Sequence, residues 1–147
     1  MNREAVYEQL KIDEGVVYEV YLDHLGYPTF GVGHLIIEGD AEHGSAVGTT
    51  ITEERVTECF EKDLDIAVSE SEALFGDNWN NYPGELQEVL VNMMFNMGRG
   101  RLGGFKKFIG AINESDWEKA SIEMMDSRWA TQVGNRAISL RDRVASL

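Results

Sequence analysis

The chain has 147 residues, of which 43% are hydrophobic and 27% are charged. This length is typical of one domain, or of two small lobes within one chain, and it is sufficient to bury a core. The 26 Asp and Glu residues exceed the 13 Lys and Arg residues, and the formal net charge is −13. We therefore expect no nucleic-acid partner, because affinity for a polyanion requires basic side chains that neutralise phosphates.

Membrane insertion and metal binding are not expected either. No apolar run approaches the roughly 18 residues of a membrane-spanning helix, and the segment from Met1 to Glu4 lacks the apolar stretch of a secretory signal. The single cysteine, Cys59, excludes an internal disulfide and is interpreted as a small buried apolar residue. The three histidines, His24, His34 and His43, lack the ligand spacing of a zinc site, so we expect no structural zinc.

The first predicted element is a short helix from Asn2 to Lys11. Asn2 is a suitable N-cap, and Val6 and Leu10 lie on one face because they are four residues apart. Gly15 can end the helix in a left-handed conformation.

Two strands are predicted next. Apolar and polar residues alternate from Val17 to Leu22, which is typical of a strand, and a second strand is expected from Tyr27 to Val32 after a turn. Gly31 and Gly33 leave the backbone bare, which indicates close approach of another group. The polar, glycine-rich residues 38–50 are interpreted as a loop.

The rest of the chain is predicted to be helical. A long helix is expected from its N-cap Thr52 to about Leu74, and a buried helix from Leu86 to Met97 with methionines as core residues. A capping box at Ser115 and Glu118 opens a further helix, and the last helix is expected from Asn135 to Val144.

Strands that are segregated from helices predict an α+β fold. We expect a β lobe over about residues 15–51, a linking helix over about 52–74, and a helical lobe over about 75–147 that includes the N-terminal helix 2–13. The two lobes would flank a cleft.

Two carboxylates are candidates for chemistry. Glu14 ends the first helix, Asp23 ends the first strand, and Thr29 follows the turn. Glycoside hydrolysis commonly uses two carboxyl groups, one protonated to donate to the leaving oxygen and one ionised. Spacing alone favours two solvated surface acids over a catalytic pair, because any two of the chain's 26 acidic residues can easily lie nine positions apart.

The sequence motif around these residues is more specific than their spacing. The segments 12–15, 21–23 and 26–35 closely resemble the phage-type, T4-lysozyme-like glycoside hydrolases. They share Asp-Glu-Gly, an acid nine residues after the glutamate, a threonine six residues later, and then Gly-x-Gly-His. The similarity continues in order through residues 62–65, 92–98, 104–105, 127–129 and 135–137, and it implies the two-lobed lysozyme-like fold.

The resemblance implies a muramidase that cleaves the β-1,4 bond between N-acetylmuramic acid and N-acetylglucosamine in peptidoglycan, with inversion. Glu14 would be the general acid, Asp23 the second carboxylate, and Thr29 the hydroxyl that holds the attacking water. An inverting enzyme separates its carboxyl groups by roughly 6.5–9.5 Å, which leaves room for that water. No cofactor is implied.

The resemblance also implies a saccharide groove lined by Leu35, Phe95 and Asn96, where Asn96 replaces a glutamine of the family. Phe108 and Glu123 stand where the family often has small polar residues, so no binding role is assigned to them.

Three further positions would support the site. His34 and Asp63 match a structural ion pair between the strand end and the long helix. Arg136 matches an arginine near the catalytic glutamate, where it would help to organise the cleft. Trp129 matches a core tryptophan.

The biological setting implied by the resemblance is a monomeric endolysin, held in the cytoplasm of the infected host until holins open the membrane. The motif also resembles the lysozyme domains of phage tail spikes, and the length of the chain favours a free endolysin or an excised domain. A wall-binding protein without turnover and a lytic transglycosylase are the alternatives, and the presence of Glu14, Asp23 and Thr29 together favours hydrolysis over both. The negative charge departs from the basic best-known member, which suggests a salty medium or a locally basic face.

Overall fold

The computed structural model describes all residues, 1–147. Its elements are α1 (Arg3–Glu14), β1 (Val17–Leu22), β2 (Pro28–Gly31), β3 (His34–Leu35), α2 (Glu53–Phe75), α3 (Gly84–Gly103), α4 (Lys106–Asn113), α5 (Trp117–Met125), α6 (Arg128–Val133) and α7 (Asn135–Ala145), with a 3₁₀ helix at Gly76–Asn81. A small sheet precedes a series of helices, which confirms the α+β class.

The residue contacts divide the chain into two compact units. The β unit comprises Tyr7–Ile66, and the helical unit comprises Met1–Val6 and Ala67–Leu147. The boundaries fall inside α1 and α2.

The sheet of the β unit is antiparallel, with strand order β1-β2-β3. Tyr21 pairs with Thr29, and Thr29 pairs with Leu35 on its other side. The register shifts between Val17 and Tyr21, so the regular part of the β1–β2 hairpin is the end nearest the turn. The core of the unit is fully or almost fully buried and includes Leu10, Val20, Phe30, Phe60 and Leu64.

Gly31 lies where the hairpin has no room for a side chain. Its φ is +66°, and a Cβ placed there would lie 3.1 Å from Cγ1 of Val56 on α2. The predicted close approach at Gly31 is confirmed, because β2 packs directly against α2 at this residue.

The helical unit has its own core. α3 is buried or half-buried from Leu86 to Gly98, and it has non-helical geometry only at Gly98, where φ is +80°. Trp129 is 2% exposed, which confirms its prediction as a core residue. The methionines predicted as core filler are also buried: Met93, Met94 and Met97. None of the helices combines the length and the apolar composition needed to cross a membrane.

The predicted stop at Gly15 and the predicted cap at Thr52 are confirmed. α1 continues to Glu14, three residues beyond the predicted end at Lys11, and Gly15 follows with φ +74°. Thr52 caps α2, because its hydroxyl oxygen accepts a hydrogen bond of 3.1 Å from the backbone N–H of Arg55.

The predicted cap of α5 is wrong by one residue. Asp116 is the N-cap, and its carboxylate accepts from the N–H of Lys119 at 3.1 Å. Ser115 cannot serve because its φ is +56°, whereas an N-cap residue usually adopts an extended conformation. The prediction also missed β3, α4 and α6, which are only two, eight and six residues long.

An ionic network lies beside the sheet. Nδ1 of His34 lies 2.7 Å from Oδ2 of Asp63 on α2, so the pair implied by the resemblance is present. On the other side of the ring, Nε2 of His34 lies 2.9 Å from Oδ2 of Asp40. Both ring nitrogens therefore face carboxylates, and only the imidazolium can donate to both of them.

The network reaches the 38–50 loop through two acidic residues. Asp40 belongs to this loop and also accepts from the N–H of Ile37. Arg55 on α2 donates two hydrogen bonds of 2.9 Å to Glu42, and its Nη2 lies 3.7 Å from Oδ1 of Asp40. The loop is therefore fixed to α2 by charge-assisted hydrogen bonds, which are the stronger kind.

These contacts shift the ionisation of the network. Burial of the imidazole opposes its charged form, but the hydrogen bonds to Asp63 and Asp40 outweigh burial, and the pKa of His34 is raised. Burial also opposes the charged form of Asp40, but its hydrogen bonds to the N–H of Ile37 and to His34 outweigh it, and the pKa of Asp40 is lowered.

We expect the His34 contribution to stability to depend on pH. Because the folded-state pKa is raised above the unfolded value, the contribution is complete below about pH 6.5 and is lost as the pH rises through the folded-state value. His34→Gln should remove this slope and cost about 2 kcal/mol at pH 6, as loss of hydrogen bonds to charged groups does. Urea unfolding between pH 5.5 and 9 measures both effects.

The matched control is His43→Gln, since His43 is exposed in the same loop. Equal pH slopes in the wild type and in His34→Gln would contradict the expected role of the imidazolium.

Candidate active site

Glu14 is the last residue of α1 and is half-buried. The backbone of Gly33 approaches its carboxyl group: a Cβ placed on Gly33 would lie 3.1 Å from Oε2 and 3.5 Å from Cδ of Glu14. Gly33 also has φ +63°, which side chains rarely adopt. The predicted close approach at Gly33 is therefore confirmed, and the group that approaches is the carboxyl group of Glu14.

Asp23 follows β1 and organises the turn into β2. Its Oδ1 accepts hydrogen bonds from the N–H groups of Leu25 at 2.9 Å and Tyr27 at 2.8 Å. The N–H of Asp23 itself donates to the carbonyl of Tyr27 at 2.9 Å. Because the turn backbone fixes Oδ1, Oδ2 is the oxygen left to accept from a ligand.

Thr29 is 4% exposed and lies on β2. Its hydroxyl donates to the carbonyl of Tyr27 at 2.9 Å. The hydroxyl proton is therefore occupied, and the lone pairs of Oγ1 are left to accept a hydrogen bond from another group.

Tyr21 connects these residues. It pairs with Thr29 in the sheet register, and the side chains of directly opposed residues lie on one face of a sheet. Asp23 is two residues further along the chain, directly after β1. Burial raises the pKa of Tyr21, and the carboxylates of Glu14 and Asp23 raise it further. The hydroxyl of Tyr21 is therefore within electrostatic reach of both carboxylates.

Sequence reasoning did not select Tyr21. The available signal was its spacing of two residues from Asp23 on a predicted strand, which places both side chains on one face. Asp40, the second carboxylate on His34, was also missed, because a loop residue has no periodicity that predicts its contact.

The predicted groove residues lie in different units. Leu35 is on β3 in the β unit and is 47% exposed. Phe95 and Asn96 are half-buried on α3 in the helical unit. Oδ1 of Asn96 accepts a hydrogen bond of 2.6 Å from Nε1 of Trp129, which fixes the side-chain amide. Saccharide binding by these three residues stays a prediction.

Arg136 lies on α7 and bonds to α3. Its Nε donates to Oδ1 of Asn92 at 3.0 Å, and its Nη2 lies 3.4 Å from the Asn92 carbonyl oxygen. Asn92 is 1% exposed, so the guanidinium is held by a rigid part of the helical unit. Its role beside Glu14 stays a prediction.

Cys59 is 3% exposed, as expected of a small buried apolar residue. Burial raises the pKa of its thiol to about 11, so it is protonated near neutral pH and is a weak nucleophile. No cluster of three or more His, Cys, Asp or Glu side chains has the arrangement of a metal site.

Comparison with known proteins places this site in a family. The sequence model of the family described as Phage lysozyme matches residues 11–146. The chain is 33% identical to probable T4-type lysozyme 2 of Dictyostelium discoideum, over 90% of this chain and 91% of that protein.

Two phage proteins are also similar. The chain is 34% identical to pre-baseplate central spike protein Gp5 of Enterobacteria phage T4, over 88% of this chain and 26% of that protein. It is 33% identical to an endolysin of Salmonella phage P22, over 65% of this chain and 62% of that protein. The chain therefore belongs to the phage lysozyme family and is a glycosidase of the peptidoglycan-hydrolysing class.

Proposed function

We propose that the chain cleaves the β-1,4 bond between N-acetylmuramic acid and N-acetylglucosamine by a single displacement with inversion. Glu14 is the general acid in this proposal, Asp23 is the general base, and Thr29 positions the attacking water. The main support is that Tyr21 pairs with Thr29 across the β1–β2 hairpin, and that the carboxylates of Glu14 and Asp23 both lie within electrostatic reach of the Tyr21 hydroxyl.

The proposed step conserves atoms and charge. Glu14 donates its proton to the glycosidic oxygen as the bond between that oxygen and the anomeric carbon breaks. The oxygen of the water forms a bond to the anomeric carbon from the opposite face, and one water proton passes to Asp23. The products are two chain ends that together contain the elements of one water molecule.

The orientation of Thr29 supports a water rather than a direct carboxylate attack. Because its hydroxyl proton is donated to the carbonyl of Tyr27, Oγ1 can accept one proton of the water. Oδ2 of Asp23 can accept the other, since Oδ1 is bonded to the turn backbone. With both protons held, a lone pair of the water is left to attack the anomeric carbon.

We also propose that the enzyme acts in host lysis as an endolysin, retained in the host cytoplasm until the membrane is opened. The similarity to the P22 endolysin supports this role. A tail-associated role in cell entry is the second candidate, and the similarity to the T4 spike protein supports it.

Replacement of either proposed carboxylate should abolish turnover. We expect Glu14→Gln to lose at least ~10²–10⁴-fold in activity, because an amide cannot donate the proton, and Asp23→Asn to lose a similar factor. Release of reducing ends from purified peptidoglycan measures the rate. Glu19→Gln, at an exposed glutamate of β1, is the control. Activity of Glu14→Gln near that of the wild type would exclude Glu14 as the acid.

The products of the same reaction identify its class. Nuclear magnetic resonance, recorded before the anomers equilibrate, should show the α-anomer as the first product. A β-anomer would indicate retention, and 1,6-anhydro ends would indicate a lytic transglycosylase. Binding to peptidoglycan without any cleavage would favour a wall-binding protein.

The approach of Gly33 to Glu14 predicts a substitution that separates activity from stability. Gly33→Ala and Gly44→Ala both force a side chain into the left-handed region, at a cost of roughly 1–2 kcal/mol each. Only the Cβ at position 33 meets the Glu14 carboxyl group, because a Cβ at Gly44 has nothing within 4 Å. Gly33→Ala should therefore lose most activity while Gly44→Ala retains it, as measured by reducing-end release alongside urea unfolding. Equal activities would contradict the contact.

The proposed endolysin role predicts lysis that depends on membrane opening. Expression in the cytoplasm of Gram-negative cells should leave cultures turbid until chloroform permeabilises the inner membrane, and Glu14→Gln should leave them turbid afterwards. Clearing before permeabilisation would contradict retention in the cytoplasm. Recovery of the chain in purified phage particles would favour the tail-associated role.

A further inference from the structure

We infer that Tyr21 is a third polar contact of the proposed site, whose hydroxyl donates a hydrogen bond to the saccharide that Glu14 and Asp23 cleave. This inference rests on the proposed function and adds a substrate-binding residue to it. Its support is the position of Tyr21 in the sheet, the absence of a protein partner for its hydroxyl, and the electrostatic influence of two carboxylates on it.

The sheet register places Tyr21 beside two residues of the proposed site. Its cross-strand neighbour is Thr29, and Asp23 follows two residues later, directly after β1. Side chains of a strand stand roughly perpendicular to the sheet. Because tyrosine is longer than aspartate or threonine, its hydroxyl extends further from the sheet than the groups proposed to hold the water. A saccharide above that water would meet the Tyr21 hydroxyl.

The hydroxyl of Tyr21 makes no hydrogen bond within the protein, while the side chain is half-buried. A partly buried tyrosine normally finds a partner for its hydroxyl. Tyr82 illustrates the usual case, since its hydroxyl donates to Oδ1 of Asn113. The Tyr21 hydroxyl is therefore available to an acceptor from outside the chain.

The surrounding charge determines which kind of partner fits. Burial and the carboxylates of Glu14 and Asp23 all disfavour the phenolate, so Tyr21 keeps its proton and is a hydrogen-bond donor. The hydroxyl and N-acetyl carbonyl oxygens of a peptidoglycan saccharide are neutral acceptors. A neutral donor within reach of two acidic groups can bind such an oxygen without placing a further charge next to the reacting bond.

The test is Tyr21→Phe, with Tyr18→Phe as the matched control. Phenylalanine keeps the ring and removes only the hydroxyl, and Tyr18 carries the same side chain on the same strand at 47% exposure. With glycan strands stripped of their stem peptides as substrate, kcat/KM should fall roughly threefold to tenfold in Tyr21→Phe, the effect of one hydrogen bond. Tyr18→Phe should match the wild type. Thermal unfolding should be unchanged in both variants, because neither hydroxyl bonds to the protein.

The outcomes separate this inference from the function on which it rests. If Glu14→Gln is inactive while Tyr21→Phe equals the wild type, the inference about Tyr21 is wrong and the proposed chemistry stands. If Glu14→Gln retains full activity, the proposed chemistry fails and the role of Tyr21 fails with it. A fall in kcat/KM that accompanies an equal loss of stability, or that occurs equally in Tyr18→Phe, would overturn the substrate contact.

Discussion

The register of the β1–β2 hairpin is the constraint on which the proposed site depends. A slip of one residue between the two strands would place Tyr21 and Thr29 on opposite faces of the sheet, because side chains alternate along a strand. Asp23 itself helps to fix this register, since its Oδ1 and its backbone N–H both bond to the turn at Tyr27. The residue proposed as the base therefore also holds the hairpin in place. Asparagine at this position keeps an acceptor oxygen for the turn, so it tests the chemistry more cleanly than alanine.

Charge is distributed unevenly between the two units. The β unit contains 14 acidic and three Lys or Arg residues, whereas the helical unit contains 12 and ten. Almost all of the surplus negative charge therefore lies in the unit that carries Glu14 and Asp23. Within it, the imidazolium of His34 and the guanidinium of Arg55 are placed among acidic residues of the 38–50 loop and α2. A few cations thus offset repulsion where the loop and helix meet, and salt is expected to screen what remains.

The sequence predicted the elements that local patterns define and missed the contacts that depend on the folded chain. β1 and α2 follow from strand alternation and the Thr52 cap, and both agree with the structure closely. Ser115 fits the capping-box pattern but is not the N-cap, because its own φ is positive and the pattern does not reveal this. The bond between Asp40 and His34 and the partnership of Tyr21 with Thr29 depend on loop closure and strand register, which no local pattern contains. The family motif identified the candidate residues Glu14, Asp23 and Thr29. Their spacing within the motif is specific, whereas their residue types alone are common.

The proposed acid and base are positioned by backbone geometry of two different kinds. Asp23 is oriented by N–H donors of a tight turn, whereas Glu14 ends a helix and rests against the bare backbone of Gly33. Both arrangements belong to one unit of the chain and lie on regular elements or the turn between them, which position side chains more accurately than long loops do. The left-handed conformation of Gly33 serves this packing directly, because any other residue would bring its Cβ into contact with the Glu14 carboxyl group. The Gly-x-Gly-His segment is therefore a structural requirement of the site as much as a family signature. Gly31 leaves space for Val56 and Gly33 leaves space for Glu14. His34 connects the 38–50 loop to α2 through Asp40 and Asp63.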